Sequence, residues 1–233
     1  MQSDSAHSYA SIIFHGVGKP DRVLEDGEAQ YWLSRDKFCR ILDRIVGMGK
    51  DAPQITFDDG NASDFEIALP ELKQRGLTAV FFVLTARLGE RGSLTEADVQ
   101  ELSGAGHIIG SHGHRHRDWR RLDAAGRIEE FETARTRLSA LAGTEITDAA
   151  APFGLYDREV AGELRQRGYR AIHTSDWGRA TRSRFIRPRN CLDDTMTHEQ
   201  IERALTGRIS LARHPRRWLG LARKRLLPAR KPA

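Results

Sequence analysis

The stretch Gln54-Ile55-Thr56-Phe57-Asp58-Asp59-Gly60 decides how the rest of the chain is interpreted. A short apolar run typical of a β-strand ends in two adjacent carboxylates and a glycine, and a helix-like segment follows. Adjacent carboxylates at a strand end repel each other, so the arrangement is costly unless a cation or a proton lies between them. Asp-Asp-Gly is also ordinary turn chemistry, and the tripeptide alone favours that simpler interpretation.

Outward from this stretch, β-type runs alternate with amphipathic segments that end in glycine. Strands are predicted at 10–15, 54–57, 78–84, 107–111, 148–151, 169–174 and 185–187, and helices at 34–46, 65–75, 95–103, 123–142, 157–167 and 198–205. This alternation predicts βα units and a mainly parallel sheet. About seven units favour a closed or nearly closed sheet, so the predicted fold is an α/β distorted (β/α)7-type barrel.

A second motif changes the interpretation of the carboxylate pair. In Ser111-His112-Gly113-His114-Arg115-His116, an apolar run ends in three histidines at alternate positions. A carboxylate at one strand end and a His-x-x-x-His pair at another form the ligand set of an open zinc-type site. In parallel barrels the active site lies where the strands end. That position is shared by His15, Asp58, Asp59, His112, His116, Phe153 and Asp176.

Taken together, Thr56-Phe57-Asp58-Asp59-Gly60 and His112-x-x-x-His116 resemble the signature of the polysaccharide deacetylases (NodB-homology, carbohydrate esterase family 4), across roughly residues 10–205. The resemblance implies a metal-dependent hydrolase that removes N-acetyl groups from amino sugars of a polysaccharide or its precursor. It implies Asp58 as the general base and Asp59 as a metal ligand with His112 and His116. One oxygen and two nitrogen donors suit Zn²⁺, although Co²⁺, Ni²⁺ or Fe²⁺ would also fit.

Amide hydrolysis also needs an acid for the leaving amine. Most of the family supplies it from a late leucine-x-histidine motif, and no such motif follows Trp177. Ile13-Phe14-His15 resembles instead the circularly permuted members that deacetylate poly-N-acetylglucosamine, which carry the acid histidine early in the chain. We therefore assign His15 as the general acid, with an ordinary loop histidine as the alternative.

The substrate-binding wall is predicted from two further motifs. Pro152-Phe153-Gly154 resembles the family's third motif, with the Phe153 backbone N–H facing the oxyanion. Asp176-Trp177 resembles the fourth motif, and Trp177 is a candidate sugar-stacking platform or a simple packing residue. His114 is interpreted as a loop or outer residue, and His107 as a structural one.

Two positions depart from the family pattern. Ala150 stands where the family has an arginine that contacts the base, and His173 stands where it usually has an aspartate. Both departures remove groups that tune the base and the acid. Either activity is reduced or another residue substitutes, so a catalytically silent glycan-binding protein stays an alternative. Within hydrolases, a deformylase or an O-acetyl esterase would use the same site.

Charge divides the chain into two regions. The net charge is +5, but residues 207–233 carry nine Lys/Arg and no Asp or Glu, which leaves −4 for residues 1–206. We predict a deacetylase barrel over 1–206 and a basic, amphipathic helical tail over 207–233. Residues 208–227 have the pattern of a helix on an anionic membrane surface, and a solvated basic end is the equal alternative. No nucleic-acid-binding motif accompanies the charge.

Hydrophobic residues make up 39% and charged residues 30% of the 233, which indicates a globular composition. The polar start of the sequence has no basic region before its short apolar run, so we expect a cytoplasmic protein, with peripheral contact on the inner face of the membrane. Cys39 and Cys191 give no disulfide framework.

Overall fold

The apolar runs form strands and the amphipathic segments form helices. The computed structural model describes residues 8–209. The strands are β1 (Ser8–Phe14), β2 (Gly16–Val17), β3 (Trp32–Leu33), β4 (Gln54–Phe57), β5 (Ala79–Val83), β6 (Ile108–Ser111), β7 (Asp148–Ala150), β8 (Ala171–Thr174), β9 (Arg179–Thr181), β10 (Ile186–Pro188) and β11 (Asn190–Cys191). The helices are α1 (Arg35–Val46), α2 (Leu69–Gln74), α3 (Glu96–Gly104), α4 (Ala124–Ile128), α5 (Ala134–Ala142), α6 (Arg158–Gln166) and α7 (His198–Thr206).

One sheet organises the molecule, in the strand order β10-β8-β7-β6-β5-β4-β1-β11, and every pair along this path is parallel. Strands β10 and β11 are separated in the chain by Arg189 alone, yet β10 pairs with β8 and β11 pairs with β1. A single segment therefore changes partners at Arg189 and closes the sheet. The prediction of a distorted (β/α)7-type barrel is confirmed.

Helices cover the outside of this barrel through apolar faces that the sequence pattern predicts. In α1, Phe38, Ile41, Leu42 and Ile45 are all buried at helical spacing. Ser34 begins this helix because its hydroxyl accepts a hydrogen bond from the Lys37 N–H. Burying one such aliphatic or aromatic side chain contributes about 1.5–3 kcal/mol.

The long helix predicted over 123–142 forms, but with a different periodicity. Residues Glu129–Thr133 make a π-helical turn between α4 and α5. The wider turn shifts the phase of the buried face, so Ile128, predicted on that face, is half-exposed, whereas Glu130 is fully buried. The sequence prediction for Ile128 was wrong because it assumed a constant period of 3.6 residues.

Helix α7 ends at Thr206, where Gly207 takes a left-handed conformation with φ 67°. The predicted tail and its membrane contact over 208–227 lie outside the described residues from position 210 onward. Within residues 8–209, every helix is too short or too polar to span a membrane.

Candidate active site

The carboxyl ends of β1, β4 and β6 and the loops that follow them meet around a cavity of about 450 Å³, which we call the site cavity. Its wall is formed by Ile13, His15, Glu25, Asp26, Gly27, Glu28, Gln30, Tyr31, Asp58, Asp59, His112, His116, Ala151, Phe153, Gly154, Ser175, Trp177, Arg189 and Cys191. This is the end of the barrel where the sequence places the chemistry.

Asp59, His112 and His116 form a compact group of donors. Each offers a ligand atom, and these atoms all lie within 4.8 Å of one another. Asp59 Oδ1 is 3.5 Å from His112 Nε2 and 3.6 Å from His116 Nε2. Two ligand atoms on a tetrahedral Zn²⁺ are about 3.4 Å apart, given bond lengths near 2.1 Å. The spacing therefore fits a shared divalent cation better than direct hydrogen bonds.

The same carboxylate oxygen gives a second test of this fit. Asp59 Oδ1 is buried and has no hydrogen-bond partner among the described residues. An unpaired buried carboxylate oxygen is costly unless a cation satisfies it. The donor set and the orphaned oxygen together suit a bound metal.

Both imidazoles are oriented through their other ring nitrogen. His112 Nδ1 lies 2.9 Å from the Ala150 carbonyl oxygen, and His116 Nδ1 lies 3.0 Å from a Glu25 carboxylate oxygen. When these Nδ1–H groups donate, the lone pair of each Nε2 faces Asp59. Glu25 belongs to the loop between β2 and β3 and also pairs with Arg87. Glu25 lies in no recognised sequence motif and was not predicted.

The loop between the two histidines is held by Glu130, which is fully buried on the π-helical turn. Its carboxylate accepts hydrogen bonds from the backbone N–H groups of His114 (2.7 Å) and Arg115 (3.0 Å), and from Trp119 Nε1 at 3.3 Å. A side chain at Gly113 (φ 85°) would collide with this carboxylate. Glu130 therefore sets the loop conformation that carries His116.

Asp58 does not join the donor group and is held by an arginine instead. Arg189 donates from Nη1 to Asp58 Oδ1 at 2.6 Å and from Nη2 to Oδ2 at 2.8 Å, with both side chains buried. Burial alone would raise the pKa of Asp58, but the charges of Arg189 and His112 overcome it and hold the pKa below its usual range. Arg189 was missed because a lone arginine between two short strands carries no sequence signal.

Burial and neighbouring charges also oppose each other in the group of Asp59, His112 and His116. Burial raises the pKa of Asp59, but the nearby imidazoles of His112, His15 and His116 lower it well below the usual value. Burial lowers the pKa of His112, while Asp58 and Asp59 raise it, with a net upward shift. Asp64, fully buried nearby, has its pKa raised by burial and by the Asp59 charge.

His15, the predicted acid, lines the site cavity. Its ring centroid is 4.9 Å from that of Tyr31, and its Nδ1 is 3.9 Å from the sulfur of Cys191. Cys191 is a neutral neighbour because burial, together with the negative charge of Asp58, raises the pKa of its thiol.

The predicted substrate wall is placed in part around the cavity. Phe153 is half-exposed, with its ring centroid 4.2 Å from that of His116, and Gly154 and Trp177 also line the cavity. Pro152 and Asp176, although in the described part of the chain, are not among the residues that line the cavity. The Asp176 carboxylate accepts hydrogen bonds from the hydroxyls of Tyr156 and Thr174, both at 3.0 Å.

Three further histidines of the described residues contact groups outside the donor group. His114 Nδ1 is 2.8 Å from the Thr85 hydroxyl, and its Nε2 is 3.3 Å from Glu129. His107 Nδ1 accepts from the Ala79 N–H at 3.2 Å. His173 is buried inside the barrel with Nε2 2.8 Å from Asp148.

Comparison with known proteins places this geometry in a family. The polysaccharide deacetylase family model matches residues 47–172, more than half of the chain. The Bacillus subtilis (strain 168) protein YxkH is 28% identical over 161 residues, which cover 69% of this chain and 54% of YxkH. The chitin deacetylase of Colletotrichum lindemuthianum is 29% identical over 52% of this chain and 49% of that protein. The chain thus spans about half the length of these relatives.

A solved structure shares the fold over most of the described residues. The Streptococcus pyogenes deacetylase PplD, solved in complex with acetate, superposes with a TM-score of 0.75 over 86% of this chain and 99% of its own, at 18% identity. The family match and the shared barrel agree with each other, and the motif residues Asp58, Asp59 and His112 lie within the matched region. The chain therefore belongs to the polysaccharide deacetylase family.

Proposed function

We propose that this protein is a metal-dependent hydrolase that removes N-acetyl groups from amino sugars of a polysaccharide or its precursor. The observation that carries the proposal is the group of Asp59, His112 and His116, gathered around an orphaned carboxylate oxygen beside the separate carboxylate of Asp58. A metal-dependent hydrolase needs these two functions, a cation site and a base, side by side.

Asp59, His112 and His116 would hold the metal, with Zn²⁺ the expected ion. When bound there, a divalent cation supplies a Lewis acid that polarises the acetyl carbonyl and acidifies water. Glu25 and the Ala150 carbonyl keep both imidazoles turned toward Asp59. Glu130 holds the backbone of the loop between them.

Asp58 is the general base that takes the proton of the attacking water. Its two oxygens each accept one hydrogen bond from Arg189, and each keeps a further lone pair to receive that proton. His15 faces the same cavity and donates a proton to the nitrogen of the leaving amine. The base and the acid come from strands β4 and β1, which are direct neighbours in the barrel.

The shape of the site cavity supports an amino-sugar substrate. An open cavity of about 450 Å³ has room for one sugar ring with its acetamido group. Trp177 and Phe153 supply aromatic surface on its wall, which suits the apolar face of a sugar. The name of the chitin deacetylase relative describes a substrate of the same chemical class.

The test combines metal analysis with acetate release from N-acetylglucosamine oligomers, for the purified protein and for Asp58→Asn. We expect a stoichiometric divalent metal and acetate release that the Asp58→Asn variant loses. A metal-loaded protein that releases formate or cleaves O-acetyl esters instead would assign the site to a deformylase or an esterase. A protein that binds no metal, or is inert on every acylated sugar, would favour a glycan-binding role and overturn the proposal.

The cytoplasmic location and the membrane contact through 208–227 stay predictions. Fractionation of cells that express the native protein tests the first. Liposome binding of the full chain, compared with a chain that lacks 208–233, tests the second.

A further inference from the structure

Arg189 occupies a position that the architecture makes unusual. It lies between β10 and β11, where the closing segment leaves β8 and joins β1. Its backbone is fixed on both sides, since its N–H donates to the Thr174 carbonyl at 2.8 Å and its carbonyl accepts from the Trp177 N–H at 3.1 Å. Its side chain therefore enters the barrel from the seam of the sheet.

Inside the barrel both terminal nitrogens of the guanidinium group are hydrogen-bonded, whereas its buried Nε has no hydrogen-bond partner among the described residues. Besides the two bonds to the Asp58 carboxylate, Nη1 donates to the Thr56 hydroxyl at 2.9 Å. The guanidinium carbon lies 4.8 Å from the ring centroid of Phe82. Arg189 is only 1% exposed, so these contacts are shielded from water. Because the planar guanidinium group of Arg189 is fixed in this way, it determines the orientation of the Asp58 carboxylate plane.

Ala150 lies next to this arrangement. It is fully buried and packs with Val80 and Phe82, the ring over which the Arg189 guanidinium lies. The barrel interior around Phe82 is filled by a small residue at 150, a large one at 189, and His173, whose ring centroid is 4.9 Å from that of Phe82. A long side chain at 150 would compete with Arg189 for the same buried volume.

We propose that Arg189 is the positioning residue of the base in this chain, and that Ala150 is small because Arg189 enters the barrel interior from the nearby seam of the sheet. This inference rests on the proposed function of Asp58. It explains the alanine in the third motif without loss of activity: the guanidinium is retained, but its origin is the seam of the sheet. Arg189 acts through Asp58 by holding both carboxylate oxygens in one plane.

The first experiment measures kcat and KM for acetate release by Arg189→Lys, with Arg187→Lys as the matched control. Lysine keeps the charge but cannot form the two-pronged contact. We expect kcat to fall about 10- to 100-fold with KM within about twofold, since the base loses orientation and general-base catalysis contributes about 10²- to 10⁴-fold. Arg187 bonds to Asp148 away from the site cavity, so Arg187→Lys keeps the wild-type kcat.

The second experiment moves the guanidinium from the seam at 189 to position 150 at the end of β7. Arg189→Ala leaves the buried Asp58 charge uncompensated, so we expect a further loss of kcat and a lower thermal stability. Adding Ala150→Arg to Arg189→Ala restores at least about tenfold in kcat, because the new side chain enters the vacated volume. Ala150→Arg alone lowers the melting temperature, because two arginines then compete for one space. Millimolar guanidinium, added to Arg189→Ala, partly restores kcat as well.

The outcomes separate this inference from the proposed function. A wild-type protein that is inert on all acylated sugars removes the function, and the melting temperatures of Ala150→Arg in the two backgrounds still test the shared volume. An active wild type with unchanged kcat in Arg189→Lys overturns the positioning role. If Ala150→Arg lowers the melting temperature equally in the wild-type and Arg189→Ala backgrounds, residues 150 and 189 do not compete for one buried volume. If Arg189→Ala does not fold, Arg189→Lys and the double variant decide the result.

Discussion

The cavity end of the barrel and its outer helices follow different rules. Four non-glycine residues in the described part of the chain have a left-handed backbone, namely Asp59 (φ 78°), His116 (φ 53°), Phe153 (φ 57°) and Trp177 (φ 57°), and all four line the site cavity. Such conformations cost of order 1–3 kcal/mol each and persist only where the surroundings enforce them. The outer helices begin instead at favourable caps, with Ser34, Thr95, Asp123, Asp157 and Thr197 each accepting a hydrogen bond from a first-turn N–H.

The contacts that support these two regions also differ in sequence range. A cap joins residues three positions apart, as between Thr95 and Asp98. The contact between Arg189 and Asp58 spans 131 positions, and that between Glu25 and His116 spans 91. The outer shell is therefore stabilised by local rules, while the site depends on a barrel that is already closed. Substitutions in the two regions should have effects of different kinds.

The largest expected effect is on kcat, from substitution of Asp58, the proposed general base. Asp58→Asn keeps the shape of the side chain but removes the proton acceptor, so kcat for acetate release should fall about 10²- to 10⁴-fold. Metal affinity, measured by calorimetry, should stay within a few-fold because Asp59, His112 and His116 are unchanged. A variant that loses its metal together with its activity would place Asp58 among the ligands instead.

Glu130 should come next, because it supports the strained loop from outside the site. Glu130→Gln replaces an acceptor oxygen with a donor against the backbone N–H groups of His114 and Arg115. Charged hydrogen bonds contribute about 1.5–3 kcal/mol each, so the free energy of unfolding should fall by about 2–3 kcal/mol. Metal affinity should fall about 10- to 100-fold, as for other groups that orient ligands.

Glu129→Gln is the matched control for this change. Glu129 is the adjacent residue and pairs with the side chains of His114, Arg115 and Arg117 at the partly exposed surface, whereas Glu130 bonds to the loop backbone. Surface ion pairs contribute about 0–1 kcal/mol, so both stability and metal affinity should stay close to wild type. Equal losses in the two variants would mean that charge on this turn, rather than support of the loop, controls the metal site.

A substitution at Glu25 tests how much the orientation of the His116 imidazole contributes to metal affinity. Glu25→Gln weakens the acceptor for the Nδ1–H of His116, and we expect about a tenfold loss of metal affinity with little change in stability. Asp26→Asn, at the neighbouring exposed acid, removes the same charge from the same loop without touching His116. A Co²⁺ titration followed by visible absorption compares the two variants without using activity. The same affinity in both would show that the loop acts only through its charge.

How well each region could be predicted from the sequence depends on whether its contacts are local or span a long stretch of the chain. Strand ends with Asp58–Asp59 and His112-x-x-x-His116 could be predicted because parallel strands bring their carboxyl ends together, so local patterns imply a distant meeting. The caps at Ser34 and Thr95 could be predicted because each involves a neighbour within one turn. Barrel closure could be predicted from the number of βα units, but not the seam at which it occurs.

Other residues had no such signal. Arg189, Glu25 and Glu130 touch the site only after closure, and nothing in their sequence neighbourhoods distinguishes them from other surface charges. Ile128 was placed on the wrong face because a π-helical turn cannot be read from periodicity. Trp177 and Phe153 reach the cavity through strained backbone, which sequence propensity disfavours.

The smallest effect should come from the outer shell, at Thr95. Its hydroxyl accepts from the Asp98 N–H at 3.1 Å, and Asp98 accepts from the Thr95 N–H at 2.7 Å, a reciprocal cap at the start of α3. Thr95→Ala should lower stability by about 1 kcal/mol, a shift in melting temperature of about 2–4 °C, while Thr95→Ser should keep wild-type stability. Because α3 contributes no residue to the site cavity, kcat and metal affinity should be unchanged in both variants. A change in kcat in Thr95→Ala alone would mean that the strained end of the barrel responds to global stability, and that the two regions are energetically one.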